Sequence, residues 1–213
     1  MASAKEEILG RIRASLSDHP NPPAPARAYR RVSDTPADQV REMLVDRLVD
    51  YKATVYQTDQ SGLAGQIAQL LSEASSVVVP QGLPESWLDD VGSGVQVRRD
   101  SGSTEVEGAV SDTELDETSA VLTSSTVSCA ETGTIFLNSR PDEGRRAITL
   151  VPDHHICVVP AASIVELVPE AMAQVTPERP ITMISGPSAT SDIELQRVEG
   201  VHGPRRLDVI ILD

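Results

Sequence analysis

Apolar residues recur along this chain in two rhythms. Between Thr35 and Leu71 they return every three to four positions, as Val40, Met43, Leu44 and Leu48, then Leu63, Ile67 and Leu70. That is the spacing of one helical face. Thr35-Pro36-Ala37-Asp38 supplies a start signal, with Thr35 as N-cap and Pro36 at the first helical position. The second rhythm is a series of short runs rich in Val, Ile and Thr, which predict strands. They are Thr54–Tyr56, Val77–Val79, Gln96–Arg98, Val106–Val110, Ser119–Thr123, Thr132–Leu137, Ile148–Val151, Ile156–Val159, Ile181–Ile184 and Leu207–Leu212. A further helix is predicted over Ile164–Gln174, broken or capped near Pro169, and a brief one opens at Pro84 and carries Trp87. Strand–helix–strand alternation at this spacing makes parallel βαβ units. The expected class is α/β, a mostly parallel sheet flanked by helices.

The N-terminus reads differently. Ser3 and Glu6 form a capping box, and Ile8, Ile12 and Leu16 then recur every four residues on a charged helix. So narrow a stripe needs a surface to cover it, on this chain, on a second copy or on a partner. From His19 to Ala28 the chain carries Pro20, Pro22, Pro23 and Pro25, which suits an extended linker and no regular element. The expected division is an N-terminal helix (residues 1–18), a Pro-rich linker (19–34) and an α/β domain (35–213).

Composition narrows the function classes. Aromatics are 2% of 213 residues, so the core must be built from Val, Ile, Leu and Ala. With 32 acidic against 18 basic residues the net charge is −14, which opposes nucleic-acid binding and docking on anionic lipid. No apolar run approaches the ~20 residues that span a bilayer. No apolar signal-peptide segment is visible near Met1 either, so the expectation is a cytoplasmic protein. Cys129 and Cys157 are the only cysteines, and both sit in strand-like contexts as buried thiols. An all-cysteine iron–sulfur cluster takes about four thiolates, so this chain is expected to carry none.

Three segments carry candidate chemistry. Glu131-Thr132-Gly133 lies at a strand entry, where Glu131 is either a general base or nucleophile or a carboxylate that pins the turn. Ser185-Gly186-Pro187-Ser188-Ala189-Thr190-Ser191-Asp192-Ile193-Glu194 follows an apolar run, and its turn amides and the hydroxyls of Ser185, Ser188 and Thr190 suit an anion. Asp192 is read as the cap of a helix beginning at Ile193. Gly200-Val201-His202-Gly203-Pro204 offers His202 as an acid–base group, as a donor to a substrate carboxylate or as a structural bridge. His154 and His155 open a strand, so their side chains should point to opposite faces. No close spacing supplies a metal site, and the acidic run 111–117 reads as a solvated loop.

These motifs also carry a resemblance. Ser185–Glu194 with Gly200–Pro204, together with Ala130-Glu131-Thr132-Gly133-Thr134-Ile135 and Pro152-Asp153-His154-His155-Ile156, resembles the LUD-domain family of lactate-utilisation proteins (the LutC/YkgG type). The motifs stand in the family's order; Ala189 departs from the larger polar residue of many members. The resemblance implies the NagB/RpiA/CoA-transferase-like superfold. It also implies a role in oxidising L-lactate to pyruvate beside iron–sulfur partner proteins that carry the clusters. This chain would bind a small carboxylate or organise the partners. The alternative is a stand-alone CoA-transferase-like or sugar-phosphate-isomerase-like enzyme using Glu131. For a common ligand site the candidates are Glu131 and His202 as catalytic groups, with Thr132, Gly133, Ser185, Gly186, Ser188, Thr190 and Gly203 as ligand contacts. The strand-end glycines are expected to gather along the carboxyl edge of the sheet.

Overall fold

Six of the apolar runs align as one parallel sheet in the computed structural model, which describes residues 3–18, 23–102, 108–191, 197–199 and 203–213. Its strands are β1 (Thr54–Thr58), β2 (Ser76–Pro80), β3 (Gln96–Asp100), β4 (Ala120–Thr123), β7 (His154–Pro160) and β12 (Arg206–Leu212). They lie in the order β1-β12-β7-β4-β2-β3, and each neighbouring pair is parallel. β2 and β4 are both buried from end to end, as expected of parallel strands covered on both faces.

One face packs against α3 (Leu63–Leu70), whose Leu63, Ile67 and Leu70 meet Val77, Val79, Leu122 and Ile156, with Trp87 closing the cluster. Burying each of these helix side chains stabilises the fold by about 1.5–3 kcal/mol. The start of α3 is fixed by Asp59, whose Oδ1 accepts from the amides of Ser61 and Gly62 at 3.0 Å each. The opposite face carries α2 (Ala37–Asp50) through Val40, Leu44 and Leu48, which meet Cys157, Val159, Leu207 and Val209.

A second sheet leans on α2, and the sequence did not announce it. Its order is β8-β5-β6-β9, built from β5 (Val127–Cys129), β6 (Thr134–Leu137), β8 (Ile164–Val165) and β9 (Thr182–Ile184). β5 and β6 form a hairpin, β9 pairs antiparallel with β6, and β8 pairs parallel with β5. Helix α5 (Val168–Met172) covers its outer face around Phe136 and Ala171.

Four expectations are corrected. Ile148–Val151 is not a strand: residues 146–149 make a 3-10 turn that presses Ile148 against Val78 and Val121. The helix over Ile164–Gln174 begins as strand β8 and turns helical only at Val168, because β5 offers a free edge to Ile164 and Val165. The acidic run 111–117 is a short helix, α4 (Asp112–Asp116), capped by Ser111 and Glu114 and anchored by buried Leu115. Thr35 does not cap α2. Pro36 holds the cap position, and the Thr35 side chain bonds Glu166 instead. Of the strand expected at Val106–Val110, residues 108–110 are a turn and irregular chain, and the rest lies outside the described residues. So does the start expected for a helix at Ile193; on either side of it the short strands β10 (Ala189–Ser191) and β11 (Arg197–Glu199) pair antiparallel.

The capping box of α1 (Ala4–Ser15) forms as expected, and no residue of that helix is buried. The end of the linker, however, is tied to the body. Arg30 pairs with Glu131, the Ser33 hydroxyl bonds Glu166, and the Ser33 amide donates to Glu170 at 2.9 Å. Removing residues 1–28 is therefore expected to leave the melting temperature within about 2 °C of the full chain. Removing residues 1–34 should lower it clearly. Thermal unfolding of the two truncations checks this, and an equal loss in both would mean that α1 is part of the folded body.

Candidate functional site

The residues singled out by the sequence are brought together by two glycines that close on one helix end. Ala130–Gly133 is the turn of the β5–β6 hairpin, with the Gly133 amide donating to the Ala130 carbonyl at 3.2 Å. Gly133 has φ 58°, and a Cβ there would stand 2.8 Å from Arg47 Cβ and 3.2 Å from the Tyr51 ring. Gly186, at φ 82°, meets the same residue from the other side: its Cβ would lie 2.7 Å from both Cβ and the carbonyl oxygen of Tyr51. Only glycine fits either position. A chain of hydroxyls joins the two turns, Thr132 Oγ1 to Thr134 Oγ1 at 2.8 Å and Thr134 Oγ1 to Ser185 Oγ at 2.8 Å. The third segment joins through Ser188, whose amide donates to the Pro204 carbonyl at 2.7 Å beside Gly203.

The position of this cluster differs from the expected one. Ile181–Ile184 supplies β9 of the small sheet, and Gly203–Pro204 leads into the amino end of β12, next to His154 and His155 at the start of β7. The motifs thus lie at the amino edge of the large sheet, because antiparallel pairing with β6 captures the apolar run before them. Glu131 also turns away from the cluster. Its carboxylate is bound by Arg30 and its side chain is 44% exposed on the linker side. His202 lies outside the described residues, and Thr190 is placed by its backbone pairing with Val198.

Between the two sheets the motif lines a cleft of about 450 Å³. Its walls are Thr182–Ile184 and the turn Ser185–Ser188 on one side, and Arg146, Thr149 and Leu150 on the other; Gly203 and Pro204 border it, and His155 and Leu207 form the floor. Ser185, Gly186, Ser188 and Gly203 among the expected contacts are here, whereas Glu131, Thr132 and Gly133 are not. His155 is 1% exposed, and Thr123 Oγ1 lies 2.8 Å from its Nε2. Burial, with the neighbouring charge of His154, pushes its pKa down to about 3, so at neutral pH it is an uncharged hydrogen-bonding ring.

His154 points to the other face, as the strand period required. Its Nε2 is 2.8 Å from Asp208 Oδ2, which Arg206 Nη2 also reaches at 2.7 Å. Burial of Asp208 works to raise its pKa, and these two partners outweigh it and hold the carboxylate below the usual range. The Cys157 thiol is buried and its pKa driven up to about 12, so it is not a nucleophile. Among the described residues no three His, Cys, Asp or Glu side chains converge as metal ligands.

Sequence reading missed Arg146. It is exposed on the rim of the cleft and makes no ion pair among the described residues, which leaves its planar fork of donors for a carboxylate. No local pattern singles it out, since Arg145-Arg146 is one of four Arg-Arg pairs in the chain, with Arg30-Arg31, Arg98-Arg99 and Arg205-Arg206.

The cleft can be set beside known proteins. Residues 41–212 match the family model described as LUD domain. The chain is 44% identical to the Lactate utilization protein C of Deinococcus radiodurans, over 99% of this chain and 96% of that protein. The protein of the same name from Bacillus subtilis is 27% identical over 86% of this chain and 82% of its own length. A crystal structure of a DUF162 family protein from Deinococcus radiodurans superposes with a TM-score of 0.69 at 38% identity, covering 84% of this chain and 99% of that one. Among the described residues no helix is long and apolar enough to cross a membrane. A family match across most of the chain, a relative of 44% identity over nearly its whole length and a shared fold place this protein in the LUD domain family.

Proposed function

We propose that this chain serves lactate utilisation by holding a small carboxylate, L-lactate or its oxidation product, in the cleft between the two sheets. Iron–sulfur proteins of the same system carry the electrons. The observation that carries the reading is the coincidence of the family signature, Ser185–Ser188 and Gly203–Pro204, with the walls of a cleft whose rim holds an uncommitted guanidinium, Arg146. Near-full-length similarity to proteins named Lactate utilization protein C supports the pathway. Arg146 binds the carboxylate through two parallel N–H donors, and the Ser185 hydroxyl faces the substituent on the second carbon above the buried, neutral His155. The two electrons of lactate oxidation need a carrier. With only Cys129 and Cys157, both buried, the chain offers too few thiolates for a cluster of its own.

Growth on L-lactate as sole carbon source tests this reading in a host deleted for the chain. Loss of growth on lactate but not on glucose, restored by the wild-type chain and not by Arg146→Ala, is the expected result. In calorimetry L-lactate should bind the purified protein while neutral lactamide does not. Undiminished growth of the deletion strain on lactate would sink the proposal.

A further inference from the structure

A second cleft, of about 680 Å³, opens beyond the carboxyl ends of β2 and β3, beside the point between β2 and β4 where the topology of the large sheet reverses. From β2 the chain steps outward to β3, then returns across β2 to β4 and continues the other way through β7 and β12. Open α/β sheets bind ligands beyond the carboxyl ends of the strands. Here those ends are Gln81-Gly82 after β2 and Asp100-Ser101-Gly102 after β3, and they form one wall of the cleft. The other wall is Ser139–Pro141, Gly144–Arg146 and Arg179-Pro180.

Four arginines border this space: Arg140, Arg145, Arg146 and Arg179. The whole chain has 18 basic residues against 32 acidic ones, so four in one cleft run against the composition. Only Arg145 is committed. Its Nε lies 3.1 Å from both oxygens of buried Asp100, and its Nη2 donates to the Val110 carbonyl. Arg140 has one loose partner, Asp142 at 3.6 Å. Arg146 and Arg179 have no ion pair among the described residues. Two of the four guanidiniums, Arg146 and Arg179, thus border the cleft without a paired carboxylate among the described residues.

The loop that carries them is built rather than loose. Glu143 accepts from the amides of Asn138 at 2.6 Å and Arg140 at 3.1 Å. Asn138 in turn accepts from the Thr176 amide at 2.5 Å and donates to the Thr176 and Pro180 carbonyls at 3.2 and 3.3 Å. This holds the segment that carries Arg179 beside the loop that carries Arg140. Gly82 donates to the Pro141 carbonyl at 2.9 Å, and a Cβ on Gly82 would collide with the Pro141 backbone at 2.6 Å. The arginine loop is therefore docked on the carboxyl end of β2.

We infer that this cleft is a second ligand site that binds the diphosphate group of a small organic molecule, with Arg140 and Arg179 on the phosphoryl oxygens, Arg145 held in place by Asp100 and Arg146 adding positive charge at the border shared with the first cleft. A single carboxylate would balance one charge. A diphosphate balances two or more and matches the forked geometry of guanidinium groups. The volume leaves room for a nucleoside beyond the phosphates. Gln81, at the carboxyl end of β2, lines the space where that part would lie.

Calorimetry of the full chain with inorganic pyrophosphate and with ADP, in 150 mM salt, tests the site. Saturable binding of both is expected, with ADP at least as tight as pyrophosphate. The double variant Arg140→Ala, Arg179→Ala should weaken both at least tenfold without changing the melting temperature. Both side chains are exposed, so this variant keeps the fold, and Arg146 is left intact because it also borders the lactate cleft. L-lactate should not displace pyrophosphate. Failure of the wild-type chain to bind pyrophosphate or ADP, equal binding by the double variant, or displacement by L-lactate would each overturn the inference. None of these results depends on the growth phenotype that tests the role in lactate utilisation.

Discussion

Glu143→Ala is expected to cost about 3 kcal/mol of unfolding free energy, from the loss of hydrogen bonds that leaves buried amides without acceptors. Glu143 is 1% exposed and sits beneath the loop that follows β6. One carboxylate oxygen accepts from the amides of Asn138 and Arg140, and the other from the Thr126 hydroxyl at 2.5 Å. Alanine removes both acceptor oxygens, and with them all three hydrogen bonds, and leaves the buried Asn138 amide unsatisfied. Glu143→Gln should be far milder, about 1 kcal/mol or less. The amide oxygen can take both backbone donors, and the Thr126 hydroxyl can turn to accept from the amide nitrogen. Electrostatics agree: burial raises the Glu143 pKa despite the three hydrogen bonds that act to lower it, so a neutral group of the same shape is tolerated. Urea unfolding of the two variants measures the difference. Equal losses in both would mean that the charge, and not the acceptor geometry, holds the loop. In the alanine variant the Asn138 amide should also lose its protection from hydrogen exchange, and pyrophosphate affinity should fall with it.

What the sequence disclosed and what it hid divide along physical lines. The strands of the large sheet and helices α2 and α3 were legible because each buries a face through its own local period, as Leu63, Ile67 and Leu70 do in α3. The capping box at Ser3 and the opposed directions of His154 and His155 were legible for the same reason, since each depends on residues a few positions apart. Of the second sheet only β6 and β9 were legible, as Thr132–Leu137 and Ile181–Ile184. Val127–Cys129 is three residues long, and Ile164–Val165 two, so neither shows a period; they are strands only because they find each other. Ile148 was misread because a short apolar run looks alike in a strand and in a buried turn. The edge of the sheet at which the signature residues lie was not legible, since that depended on β9 pairing with β6. The arginine cleft was invisible in one dimension. Its two halves meet through Asn138 and Thr176, 38 positions apart, and no local pattern encodes that bond.

Acid should destabilise this protein well above the range where carboxylates titrate, and His155 is the reason. Its ring is fully enclosed against Thr123, and burial first, then the charge of His154, brings its pKa from 6.5 to about 3. In the unfolded chain the same ring titrates near the ordinary value, so below it the unfolded state binds the extra proton. The contribution of neutral His155 is therefore complete above about pH 6.5 and is lost progressively as pH falls toward 3. Across the window from pH 7 to pH 5 the loss amounts to about 2 kcal/mol, from a slope near 1.4 kcal/mol per pH unit below the unfolded value. Asp208 acts elsewhere: its pKa is lowered from 3.8, so its contribution is lost only in stronger acid. Glu143 has the opposite sign, because a raised carboxylate pKa stabilises the fold as pH falls, but it is present equally in wild type and in a His155 variant. The informative quantity is thus the difference between wild type and His155→Leu in urea unfolding at pH 7 and at pH 5. The variant is expected to be less stable at pH 7, where it removes the Thr123–His155 hydrogen bond, and to lose about 2 kcal/mol less than wild type on going to pH 5. Parallel losses in the two proteins would show that the ring is not held neutral, and with it would go the assignment of an uncharged hydrogen-bonding floor to the cleft between the sheets.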